Sequence, residues 1–509
     1  MLPVASADLP GALPVAATAV AILAVAILFS RRRSTGGAPA AAPGQGGKPI
    51  PSPYPLWSDL ALDVTVKGDF PDAVKQHAQF GPVFWWRFLG RRLLMVGDYE
   101  ASMRLLKGEH TIVEADYPPS VQHLVGKWGI ANLASKQHMR IKRLVQAAFT
   151  PKAIRGYMPR MQAMAEEAVH KWTAQGDILA YNEMKWYTFR VAVSVIAGFD
   201  DSWTRPGPDG FEHVNALFKD WLDGLFSFPI AIPGTAFARG MKARGGLMQR
   251  INASLDLLEQ QTQEKGQKGE APTGQEAEEQ AEQPTALDLL LASRDEEGKG
   301  LTREQICDNV LVMLFAGHDT SATSLTRIFH FLHLHPEAAE RLRQEQAEVL
   351  AKHGAELTEE ALADMPYTEG VIREVLRIKP IIAGFPRVAL TDFELAGHTI
   401  PKGTRMQCSL AQPLLTDARW AGEADPLQFR PERWLDGAAH RTGAWIPFGG
   451  GPRLCLGWLL AMAEMKVLLA VVFRGHKMTV HHPDSPWALF PLARPKDGMP
   501  ARLQAVRQQ

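Results

Sequence analysis

Residues 448–457 read Phe-Gly-Gly-Gly-Pro-Arg-Leu-Cys-Leu-Gly, and Cys455 is the side chain there with the widest chemical reach. Three glycines and a proline allow left-handed and close-approach backbone, so a thiol can be presented from a rigid loop. Gly457 opens a run rich in Leu, Ala and Met, 458–472, that reads as a helix. A sulfur at a helix N-terminus feels the positive end of the macrodipole, which favours the thiolate that an iron ligand needs. A lone cysteine in apolar surroundings is otherwise a small buried hydrophobe. A second polar set, Ala316-Gly317-His318-Asp319-Thr320, interrupts the longest helical pattern of the chain, 302–335. Glycine there costs about 1 kcal/mol relative to alanine, and Asp and Thr compete for backbone hydrogen bonds, so a purely structural helix gains nothing from them. The gap they leave can hold dioxygen and water, or serve as a notch for another helix.

The pattern Phe448-x-x-Gly451-x-Arg453-x-Cys455-x-Gly457 resembles the haem-binding signature of the cytochrome P-450 family, with every specified position filled. The resemblance implies that Cys455 is the axial ligand of a haem b (iron protoporphyrin IX), with Phe448 packed near the sulfur and Arg453 on a haem propionate. Thiolate ligation favours cleavage of a bound O–O bond. Residues 316–320 resemble the family's oxygen-activation motif, in which an acid and an alcohol, here Asp319 and Thr320, deliver protons. His138 and Lys142 lie four apart on one helix face. The family places a Trp or His and, four later, an Arg on a propionate. Lys142 departs from that Arg, Arg143 could substitute, and a solvated basic face is the other reading. Arg387 occupies the place of a further propionate arginine, and Ile381, Ile382, Ala383 and Phe385 before it would face substrate. Glu374 and Arg377, three apart, together with Arg433 resemble the family's buried Glu-Arg-Arg triad, although an exposed pair at that spacing alone would contribute little.

These residues need a large, mostly helical scaffold. The chain has 509 residues, 46% hydrophobic and 22% charged, enough to bury a sizeable core. Lys plus Arg and Asp plus Glu are both 55, so nothing global points to nucleic acid. Three dispersed cysteines, Cys307, Cys408 and Cys455, argue against a disulfide scaffold or a zinc site. The expected fold is mainly α with a small β region, the cytochrome P-450 fold, over residues 56–509. A hairpin is predicted at 83–89 and 93–96, and Thr302 with Gln305 reads as a capping box opening the long helix.

Before this domain come a short tail, 1–10, and an apolar stretch, 11–30, followed at once by Arg31, Arg32 and Arg33. Twenty helical residues reach roughly 30 Å, so a single transmembrane anchor is predicted, with the rest of the chain cytosolic on the endoplasmic reticulum. A plastid transit peptide is the alternative. Residues 31–55 read as a Pro/Gly-rich tether, and 262–285 as a disordered polar insertion. The Pro-bounded apolar run 225–234 looks like the family's loop over the substrate channel, able to dip into membrane lipid, or else core.

The sequence therefore predicts a membrane-anchored monooxygenase that hydroxylates an apolar small molecule with O2. No Gly-rich nucleotide fold follows the cysteine loop, so electrons come from another protein. The resemblance implies a membrane-bound NADPH-dependent diflavin reductase, docking where Lys136, Arg140 and Arg143 supply positive charge. Residues 117–120, 228–233 and 316–320 look like the branch that oxidises sterols, triterpenoids, plant hormones and retinoids, which suggests an isoprenoid-derived substrate. A haem-thiolate isomerase or dehydratase acting on a hydroperoxide, and a non-enzymatic haem sensor, are the other classes.

Overall fold

A computed structural model describes residues 50–51, 78–88, 91–267, 284–420, 425–435, 437, 443–489 and 492–506. The predicted anchor at 11–30, nearly all of the tether at 31–55 and most of the insertion lie outside them. Among the described residues no helix is long and apolar enough to cross a membrane. The start of the insertion reads differently from expectation, since helix runs on through it to Gln267.

The helices that shape the site are α1 (Tyr99–Lys107), α2 (Ser135–Gln146), α3 (Pro151–Gln175), α4 (Ala180–Val191), α5 (Phe211–Leu225), α6 (Ala236–Gln267), α7 (Arg303–Leu334), α8 (Pro366–Ile378) and α9 (Trp458–Phe473). α7 starts where the capping box predicts. Thr302 N donates to Gln305 Oε1 at 3.0 Å, and Gln305 N donates to Thr302 Oγ1 at 3.3 Å. It stops before Pro336, which disfavours helical conformation in the preceding residue. Its 32 residues span about 48 Å at 1.5 Å each. Around its middle it is buried on nearly every side, within one continuous apolar core shared with α3, α4, α5, α8 and α9.

The β region is small, as expected. Strands β1 (Val83–Phe88), β2 (Arg91–Val96), β3 (Val113–Ala115), β4 (Gly384–Ala389) and β5 (Arg405–Ser409) form one sheet in the order β1-β2-β5-β4-β3. β1 and β2 are the predicted hairpin, with Trp85 opposite Leu94. β4 lies antiparallel to β3, placing Arg387 opposite Ala115. That register carries an arginine from the sheet to the end of α1.

Candidate active site

Cysteine loop and helix α9 build one wall. The loop closes through Cys455 N to Phe448 O at 3.0 Å and Leu454 N to Gly451 O at 3.1 Å. Gly451 adopts φ +62°, and a Cβ there would sit 2.1 Å from Leu106 O, so the loop packs on α1 only with glycine at this position. Phe448 packs between Trp445 and Trp458, edge-on to the first and tilted against the second, with ring centroids 5.7 and 6.5 Å away. Cys455 itself is exposed, yet burial pushes its thiol up, partly offset by a hydrogen bond from Gly457 N–H and by Lys142. The sulfur is thus accessible at its surface while protein crowds it closely enough to disfavour the thiolate. The helix N-terminus thus acts in the expected direction, but desolvation outweighs it.

The middle of α7 supplies the opposite type of surface. Ala316 is exposed and Val312, Phe315, Gly317 and Thr320 are half-buried, in a stretch of helix whose remaining residues are buried. Positions four apart share a helix face, so Ala316 and Thr320 open together. Thr320 Oγ1 donates to Ala316 O at 2.6 Å. His318 and Asp319 turn the other way. His318 packs its ring against Phe189 and Phe218, both 5.1 Å away, and Asp319 Oδ1 lies 2.9 Å from Lys185 Nζ on α4. Burial alone would raise the Asp319 carboxyl, but His318 and Lys185 outweigh it and hold the group below its usual range.

Gly317 corrects an expectation. Its missing side chain does not open a gap, because a Cβ there would lie 3.1 Å from Ile196 Cδ1 and 3.7 Å from Ala192 Cβ. Close packing of α7 on the π-helical segment Ala192–Ala197 uses that space.

The predicted basic residues converge in part. Arg453 Nε donates to Glu109 Oε1 at 2.5 Å, and Arg387 Nε lies 2.6 Å from Glu109 Oε2. His138 Nδ1 meets His110 Nε2 at 3.0 Å, and burial, with Arg453 beside it, pushes His138 down to about 3. Lys142 departs from its predicted role. Its Nζ donates to Pro452 O at 2.5 Å and Leu454 O at 3.2 Å, so it ties α2 to the cysteine loop. One turn of helix separates His138 from Lys142, enough for the first to reach the arginines and the second to reach the carbonyls beside Cys455.

Glu374 stands at the centre of a separate buried cluster. Arg377 donates to it bidentately, Nε to Oε2 and Nη2 to Oε1, both 2.9 Å; Arg433 Nε donates to Oε1 at 3.1 Å and Trp434 Nε1 to Oε2 at 3.1 Å. Arg377 also caps the Leu414 and Pro426 carbonyls. Of the residues expected to face substrate, Ile382 and Ala383 are exposed. Ile381 packs partly on the main core, and Phe385 packs under Arg387, whose guanidinium lies 4.3 Å from its ring centroid. Arg140 and Arg143 are not free basic charges, since they pair with Asp295 and Glu296.

An accessible thiol on a rigid loop, a small-residue helix face and a buried row of arginines with a histidine fit a flat, apolar group that carries two carboxylates and takes a sulfur ligand. A family model described as cytochrome P450 matches residues 49–497. The chain belongs to the cytochrome P450 family. Its cofactor is haem, and it is an oxidoreductase of the monooxygenase kind. The chain is similar to a cytochrome P450 120 of Synechocystis sp., 30% identical over 88% of this chain and 95% of that protein. It is also similar to abscisic acid 8'-hydroxylase 2 of Arabidopsis thaliana, 28% identical over 84% of each chain. A solved structure, retinoic acid-bound cyanobacterial CYP120A1, superposes with a TM-score of 0.75 at 29% identity, covering 90% of this chain and all of that one. The P450 fold expected from sequence is therefore the observed one.

Glu109, His110, Lys185 and Glu464 were not visible as site residues in the sequence. Nothing in their spacing marks them, since each matters through a contact made across the fold.

Proposed function

We propose that this P450 hydroxylates an isoprenoid-derived substrate, with Cys455 as the residue whose sulfur would hold the haem iron and Arg453, Arg387 and His138 as those that would hold the haem carboxylates. The observation that carries the reading is Cys455, an accessible thiol on the loop two residues before Gly457, the N-cap of α9. Haem, when bound, supplies activation of dioxygen, so that one oxygen atom enters a C–H bond and the other leaves as water.

The chain's own residues do the rest. Phe448, with Trp445 and Trp458 around it, keeps water from the sulfur side, and Lys142 holds the loop carbonyls on either side of Arg453. Thr320 is the hydroxyl that hands on protons from the open face of α7, and Asp319 is the acid that supplies it when released from Lys185. The Glu374 cluster keeps the surrounding core rigid. Abscisic acid and retinoic acid, named for the relatives, are both isoprenoid carboxylic acids, which supports that substrate class. The loop between α5 and α6 exposes Phe228 at 55% and Ile232 at 59%, together with Phe226 and Ile230. That apolar patch suits an entrance lying against membrane lipid. Residues 11–30 serve as the anchor, and a membrane-bound diflavin NADPH reductase delivers the electrons.

The carbon-monoxide difference spectrum of the reduced protein tests this, wild type against Cys455→Ala. A thiolate-type Soret band is expected in the first and not in the second. Persistence of that band in Cys455→Ala would remove Cys455 from the haem. A substrate-induced spectral shift with retinoic acid or abscisic acid, absent with an alkane of equal length, checks the substrate class.

A further inference from the structure

We propose that Glu109 is a positioning residue for the haem carboxylates: it accepts a hydrogen bond from Arg453 Nε, forms an ion pair with Arg387, and leaves a fixed negative charge beside the cofactor that favours the ferric state. The inference rests on the haem reading above.

Glu109 follows Gly108, the residue that ends α1, and its side chain is fully buried. Oε1 accepts from Arg453 Nε and from Ala115 N, at 2.5 and 3.2 Å, and Oε2 faces Arg387 Nε at 2.6 Å. Arg453 comes from the cysteine loop and Arg387 from β4, so a single carboxylate ties the loop to the sheet. Arg453 Nη1 and Nη2 each donate once more, to Ala131 O and Leu133 O at 3.3 and 2.5 Å, ahead of α2, which leaves one N–H on each for a haem carboxylate. The guanidinium plane is thereby fixed on three sides. Neighbouring His110 is held at φ +68°, a region disfavoured for a side-chain-bearing residue by about 1–3 kcal/mol, and persists there because its surroundings over-determine it. Its N–H donates to Val113 O at 2.8 Å, and its imidazole meets His138 at 3.0 Å and Glu114 Oε1 at 3.2 Å. One strained turn thus reaches Arg453, Arg387 and His138 together, the three groups assigned to the haem carboxylates.

A buried ion triple in which the cations outnumber the anion is costly unless a further anion completes it. Two haem carboxylates go beyond completing it, three anions to the two arginines, so the cluster holds one net negative charge for as long as Glu109 contributes its own. Reduction adds one electron to the centre, and an uncompensated carboxylate nearby opposes that gain in a low dielectric. Groups one shell out from a metal tune it in this way.

The test uses full-length holoprotein carrying Glu109→Gln or Glu109→Asp. Glu109→Gln is expected to shift the ferric/ferrous midpoint to more positive potential and to speed haem transfer to excess apomyoglobin several-fold, with the thiolate-type carbon-monoxide band retained. Glu109→Asp should keep the wild-type midpoint. An unchanged midpoint in Glu109→Gln overturns the proposal. Should Glu109→Gln not accumulate with haem, Arg387→Gln is compared with the double variant Glu109→Gln/Arg387→Gln. The proposal requires a higher midpoint in the double variant, and equal midpoints overturn it. The wild-type carbon-monoxide band checks the haem reading separately.

Discussion

Lys185 Nζ stands 2.9 Å from Asp319 Oδ1, with both side chains nearly excluded from solvent. Helix α4 thereby takes hold of the acid that the sequence assigns to proton delivery and keeps it on the face of α7 away from Ala316 and Thr320. A buried carboxylate with its cation removed loses far more than an exposed pair would.

Lys185→Met should therefore destabilise the protein by about 3–5 kcal/mol at neutral pH. Asp319 sits below its usual carboxylate range, so its contribution is present above the unfolded value and lost as pH falls through the folded one. Thermal denaturation of wild type and Lys185→Met from pH 7 down to about 3 should show the gap closing in acid. A gap that stays constant with pH would mean that Lys185 acts through packing alone.

Thr320→Ala should keep the thiolate-type band and substrate binding while oxygenation per NADPH falls, roughly tenfold or more, with hydrogen peroxide in its place. Product and peroxide counted in one assay decide it. Tight coupling in this variant would take Thr320 out of proton delivery.

Glu374 binds two arginines and Trp434 in a site closed to solvent. Glu374→Ala leaves those cations buried without a partner, at a cost of about 3–5 kcal/mol. The expected outcome is a collapse in the yield of folded haem protein. Recovery of wild-type amounts with an unaltered melting temperature would contradict it.

Glu464 on α9 is buried, with Ser321 as its hydrogen-bonding partner, and burial pushes its carboxyl up to about 8. A folded value above the unfolded one means stability that is full in acid and declines as pH rises towards 8, at roughly 1.4 kcal/mol per pH unit. Glu464→Gln keeps the shape and stays neutral, so it should flatten the pH profile and exceed wild type in stability near pH 8. Parallel profiles for the two proteins from pH 5 to 8 would show that Glu464 does not titrate in that range.

Much of this protein could be read from its residues in order. Periodicity and a capping box located α7, a ten-residue loop pattern carried the family, and aromatic and aliphatic runs separated by Gly90-Arg91-Arg92 marked the β1–β2 hairpin. These signals are local, since each needs only neighbours within a few turns of helix or one strand pair. The side to which each group would point was harder to read. Ala316 and Thr320 lie on the open face of α7, whereas Asp319, one residue from Thr320, is turned by 100° of helix towards Lys185, and only the packing of α4 on α7 supplies the cation that offsets its burial.

Lys142 and Gly317 make the same point. A lysine four residues after His138 is compatible with either a propionate or a loop carbonyl, and the approach of the cysteine loop to α2 selects the carbonyl. A helical glycine can open a gap or admit a neighbour, and Ile196 fills the space. Sequence by itself determined the family, the helical scaffold and which residue types could meet at a haem. Tertiary structure decided the partners, because charges and voids in a low-dielectric interior are settled by contacts between segments hundreds of residues apart, such as Glu109 with Arg453, and no local pattern encodes them.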